Sequence, residues 1–144
     1  MDTTEKLNLL SRDSQYDLAC ACATQDNEHR RRSQEDKWVY PVTLPTGGTT
    51  YLFKTLLSNE CVNNCKYCPL RAGTGAQRCA MTPEELTKAF VSYYRARKVS
   101  GLFLSSAVFK SPDATMERIN RAALILRKRP QRDACRDGWR YISG

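Results

Sequence analysis

The apolar pattern changes period along the chain. Residues 51–57 read Tyr-Leu-Phe-Lys-Thr-Leu-Leu, an aromatic and aliphatic run that suits a β-strand. Thr82-Pro83-Glu84-Glu85 then announces a helix, with Thr82 as N-cap, Pro83 at N1 and Glu85 at N3 of a capping box. Leu86, Phe90, Tyr93, Tyr94 and Arg97 recur at helical spacing and predict a helix to about Lys98, before a break at Gly101. Leu102-Phe103-Leu104 is a short continuous apolar run, as a parallel strand buried on both faces requires. Ser111-Pro112-Asp113 repeats the cap chemistry, and Met116, Ile119, Ala123 and Leu126 form one apolar stripe through about Lys128.

Strand, helix, strand, helix with short links predicts an α/β fold with a parallel sheet. Residues 51–128 carry this pattern. Residues 1–50 read as a polar N-terminal extension, whose first 36 residues carry apolar patches at Leu7, Leu9 and Leu10 and at 16–23. Residues 25–37 are strongly charged, and Pro41, Pro45 and Gly47-Gly48 punctuate the stretch before the first strand. Residues 129–144 read as an atypical basic tail.

The 144 residues suffice for one domain, and 41% hydrophobic with 26% charged residues fits a globular chain. No apolar stretch approaches the roughly 20 residues of a membrane helix, and the amino terminus lacks the order of a signal peptide. The expected location is the cytoplasm, with no membrane partner. Net charge is +8. It gathers at Arg30-Arg31-Arg32 and at Arg127-Lys128-Arg129 with Arg132, Arg136 and Arg140. Either a solvated basic surface or a nucleic-acid contact satisfies that distribution. The single histidine, His29, sits in the charged stretch and receives no catalytic role.

The most informative chemistry is Cys61-Val-Asn-Asn-Cys65-Lys-Tyr-Cys68, with spacing C-x3-C-x2-C, directly after the first strand. Structural zinc takes four ligands, and common ferredoxin clusters take four cysteines. Three thiolates leave one metal position open, as a reactive cluster needs. Two other readings stand beside this one: a zinc site completed by Cys79, and unrelated structural thiols. Lys66 and Arg71 either favour the thiolate form or are plain surface charge. Cys20 and Cys22 read as small packed residues. Disulfides are not expected in a seven-cysteine chain without a signal peptide.

These cysteines, with Tyr67 before the last of them, resemble the radical SAM superfamily. The resemblance implies a partial (β/α) barrel. It implies that Cys61, Cys65 and Cys68 hold three irons of a [4Fe-4S] cluster, and that S-adenosylmethionine chelates the fourth. One electron from a reducing donor would then cleave the sulfonium and give a 5′-deoxyadenosyl radical. Ser105-Ser106-Ala107 stands where that family places a Gly-Gly-Glu-like segment, which assigns Ser105 and Ser106 to SAM contact. Residues 5–128 look like one subgroup, named for DNA modification or repair, whose members are linked to DNA and a uracil-DNA-glycosylase-like partner. That family is much longer: only the first two to three βα units are present here, and the tail is polar where another strand is expected. The chain therefore reads as truncated near Lys128, with unpaired sheet edges that favour association. From other function classes come a nucleic-acid-binding module, using Tyr51, Tyr93, Tyr94 and Trp139 for stacking, and a zinc-stabilised interaction domain using Cys79.

Overall fold

A computed structural model describes residues 1–14 and 38–128. Cys20, Cys22, His29, the Arg30-Arg31-Arg32 cluster, Cys135, Trp139 and the basic tail lie outside the described residues. Three helices and three strands make up the described chain: α1 (Thr3–Asp13), β1 (Val39–Thr43), β2 (Thr49–Leu56), α2 (Pro83–Arg95), β3 (Gly101–Ser105) and α3 (Pro112–Lys128). The fold is α/β, but the sheet is mixed where a parallel one was expected. β2 pairs parallel with β3, Lys54 opposite Phe103, while β1 pairs antiparallel with β2, Tyr40 opposite Leu52.

The β1–β2 hairpin turns through residues 44–48. Gly47 and Gly48 both have positive φ, 84° and 92°, which glycine alone adopts without strain. Leu44 N–H donates to the Gly48 carbonyl at 3.0 Å and closes the turn. Pro41 lies inside β1 and is tolerated because β1 is an edge strand.

Two described segments of the expected extension, Thr3–Asp13 and Val39–Thr43, supply α1 and β1 to the same core as the rest. Asp2 and Glu5 form a reciprocal capping box at the start of α1, and Leu7, Leu9 and Leu10 are buried with Phe53, Leu57, Met81, Leu86 and Phe90. Phe53 packs edge-on against Phe90 and Tyr93, at 5.9 and 5.5 Å between centroids, and Trp38 packs on Tyr93 at 5.8 Å. Each such pair adds about 0.5–1.5 kcal/mol beyond the area it buries.

The capping box expected at α2 is present: Glu85 N–H donates to Thr82 Oγ1 at 3.1 Å, and Thr82 N–H donates to Glu85 Oε2 at 2.8 Å. The helix stops at Arg95, short of Lys98. Arg97 adopts the left-handed region, φ 57°, and Lys98 N–H returns to the Tyr93 carbonyl. Arg97 thus ends the helix rather than extending its stripe. At α3 the apolar stripe is rotated from expectation: Thr115 and Ala122 are buried, Ile119 and Leu126 pack on the core, and Met116 and Ala123 face outward. Among the described residues no helix is long and apolar enough to cross a membrane.

Candidate functional site

The carboxyl ends of β2 and β3 are fastened together. Leu57 N–H donates to the Ser105 carbonyl at 2.8 Å, Ala107 N–H to the Ser58 carbonyl at 2.9 Å, and Val62 N–H to the Val108 carbonyl at 3.0 Å. The segment entering the cysteine loop therefore runs beside Ser105, Ser106 and Val108. In open α/β sheets this rim is where ligands collect.

Cys61, Cys65 and Cys68 lie on this one loop as free thiols, Cys65 exposed and the other two half-buried. Cys68 N–H donates to the Cys65 carbonyl at 3.0 Å, so the C-x2-C segment is a tight turn that lifts Tyr67, 90% exposed, into solvent. Arg78 holds the loop's base. Its guanidinium donates to the carbonyls of Leu70 and Arg71 at 2.9 and 2.7 Å and to Thr74 Oγ1 at 2.6 Å. A cavity of about 490 Å³ beside the turn is lined by Asn64, Lys66, Arg71, Ala72 and Gly73.

Among the described residues no three of His, Cys, Asp or Glu are gathered as a metal-holding group. The trio shares a loop without converging on a point. Cys79 does not join it. That residue is 7% exposed, and its N–H donates to Asn59 Oδ1 at 2.7 Å. Burial, then the neighbouring Asp13 carboxylate, push the Cys79 thiol up to about 11. Burial thus sets Cys79 apart from the three loop cysteines.

Asn59, fully buried, is the polar centre under the loop. Its Nδ2 donates to Asp13 Oδ2 at 2.6 Å and to the Gln77 carbonyl at 2.8 Å. All of its amide groups are thereby matched, as a buried amide requires.

Ser105 closes β3. Its Oγ is buried and lacks a hydrogen-bond partner among the described residues, whereas Ser106 Oγ is spent on the Ala107 carbonyl at 2.8 Å. An unsatisfied buried hydroxyl costs about 1–3 kcal/mol unless something absent completes it. On this measure the rim fits a polar cofactor at Ser105. The cysteine set fits an iron–sulfur cluster in donor type and placement, and binding would have to gather the thiols.

Lys54 went unassigned in the sequence, although a lone cation in the run 51–57 was its signal. Side chains alternate along a strand, so Phe53 faces α2 and Lys54 faces the other side of the sheet. Lys54 is only 5% exposed. Its Nζ lies 5.1 Å from the Tyr40 ring centroid and 5.4 Å from that of Phe103. Asn59, Asp13 and Arg78 were likewise missed, since only the folded loop brings them together. Of the aromatic residues considered for base stacking, Tyr93 and Tyr94 pack on Phe53 and Phe90, while Tyr51 stays exposed.

No family model, curated protein or solved structure matches the chain.

Proposed function

We propose that this chain is a radical SAM protein, with β2–α2–β3–α3 as the first two βα units of a partial (β/α) barrel. The observation that carries the proposal is the C-x3-C-x2-C loop, which leaves the carboxyl end of one parallel strand and is bonded to the carboxyl end of the next. Cys61, Cys65 and Cys68 would hold a [4Fe-4S] cluster. When bound, that group supplies one electron for reductive cleavage of S-adenosylmethionine. Ser105 offers the cofactor an unspent hydroxyl, and Ser106 contributes backbone rather than its committed Oγ. Lys66 and Arg71 give the adjoining cavity a cationic wall that suits a phosphate-bearing substrate, which supports a role in DNA modification or repair. A reducing electron donor is required. A uracil-DNA-glycosylase-like partner is implied by the resemblance alone.

The test is anaerobic reconstitution of the full chain with iron and sulfide. The expected result is near-equimolar iron and sulfide, a visible cluster absorption, and loss of both in the Cys61→Ala, Cys65→Ala, Cys68→Ala triple variant. Reduced protein should then convert SAM to methionine and 5′-deoxyadenosine. A colourless protein that retains zinc under the same treatment overturns the proposal.

A further inference from the structure

We infer that the face of the sheet turned away from α2 carries an oxyanion-binding site built from Lys54 and Ser105. Strand parity and register put them together. Lys54 is opposite Phe103 and Leu56 is opposite Ser105, so both residues project from the same face, one strand and two positions apart. That offset separates their Cα atoms by roughly 8 Å, a gap that one phosphate or carboxylate can bridge with a hydrogen bond from each side chain.

Two independent observations point to a ligand. Ser105 Oγ is buried with no hydrogen-bond partner among the described residues. Lys54 is 5% exposed, and among the described residues no carboxylate pairs with it. Aromatic faces flank its ammonium at Tyr40 and Phe103 but give it no hydrogen-bond acceptor on oxygen. Asp13 is engaged with Asn59 and Glu85 with Lys6, and neither pairs with Lys54. A lysine only 5% exposed and without a carboxylate partner among the described residues, on the same face as a buried hydroxyl without a hydrogen-bond partner, matches an anion with at least two acceptor oxygens. The site shares Ser105 with the proposed SAM contact but rests on the packing of the sheet, so it stands whether or not the cysteines bind iron.

The test uses the full chain, without added metal, with lysine labelled with ¹³C at the ε carbon and the Lys54 signal assigned through Lys54→Arg. Inorganic phosphate should move that signal saturably. Ser105→Ala, which removes an unsatisfied hydroxyl and so keeps the fold, should weaken phosphate binding about tenfold, and Lys54→Met should abolish it. SAM and phosphate are then added together. Displacement of phosphate assigns the anion to the cofactor's carboxylate; simultaneous binding assigns it to a substrate. A Lys54 signal that phosphate leaves in place, or equal phosphate affinity in the wild type and Ser105→Ala, overturns the inference.

Discussion

Asn59 donates its side-chain amide to the buried carboxylate of Asp13 at 2.6 Å, joining α1 to the strand end from which the cysteine loop departs. The two residues are 46 positions apart in the chain. The same amide bonds the Gln77 carbonyl and the Cys79 N–H, so three segments meet on one side chain. Replacing Asn59 with Leu leaves Asp13 Oδ2 and the Cys79 N–H without this partner. The expected loss of stability is about 2–4 kcal/mol by urea denaturation. An Asp13→Ala, Asn59→Ala double-mutant cycle should show coupling above about 1 kcal/mol; additivity would break the assignment.

Cys79 should resist alkylation at neutral pH while Cys65 reacts, because burial and Asp13 hold the Cys79 thiol protonated up to about 11. Peptide mapping after iodoacetamide treatment checks this. Its folded pKa lies above the unfolded value of 9.0, so the folded state keeps a proton that the unfolded state loses. Stability from this group is present below pH 9 and declines as pH rises towards about 11. Cys79→Ala should remove that alkaline slope and leave iron content after reconstitution unchanged.

Cys65→Ala should leave apo-protein stability within about 0.5 kcal/mol, since the side chain is exposed. Iron content should nevertheless fall. A stability loss comparable with that of a core substitution would make Cys65 a structural residue instead.

Glu85 serves both as the N3 residue of the α2 capping box and as the partner of Lys6, at 2.9 Å. The Thr82 N–H and then Lys6 hold its carboxyl below the usual value of 4.5. Its contribution is therefore present above pH 4.5 and lost as pH falls through the lowered folded value. Glu85→Ala should cost about 1 kcal/mol at pH 7 and flatten the acid limb of a stability–pH profile. An unchanged acid limb would exclude this group as its source.

Arg97 occupies the left-handed region at the end of α2 with φ 57°, a conformation that costs a side-chain-bearing residue roughly 1 kcal/mol. Arg97→Gly should raise stability by about 0.5–1 kcal/mol, read as a higher urea midpoint with an unchanged slope.

The elements with local signals were legible in the sequence. Thr82-Pro83-Glu84-Glu85 and Ser111-Pro112 state their helix starts because a cap is completed within four residues. Residues 51–57 and 102–104 read as strands from their aromatic and aliphatic content, although β3 is half-buried along its length where burial on both faces was expected. The C-x3-C-x2-C motif and its departure from a strand end were equally visible. At α3 the stripe was misread, because Thr115 spends its hydroxyl on the Ser111 and Phe109 carbonyls and turns inward, while Met116 is left outside.

What the chain alone could not disclose is whatever depends on distant segments meeting. Leu7, Leu9 and Leu10 look like a minor apolar patch until α1 docks against β2. Pro41 looks like punctuation until β1 takes an edge, where a missing N–H goes unneeded. Lys54, Ser105, Asp13 and Asn59 acquire meaning only from burial, since an ammonium, a hydroxyl or an amide is inexpensive in water and costly once the sheet and loop exclude it. Local hydrogen bonding and side-chain periodicity wrote α2, α3, the parallel strands and the cysteine loop into the sequence; desolvation, which only the packed chain imposes, decided which polar groups are left wanting a partner.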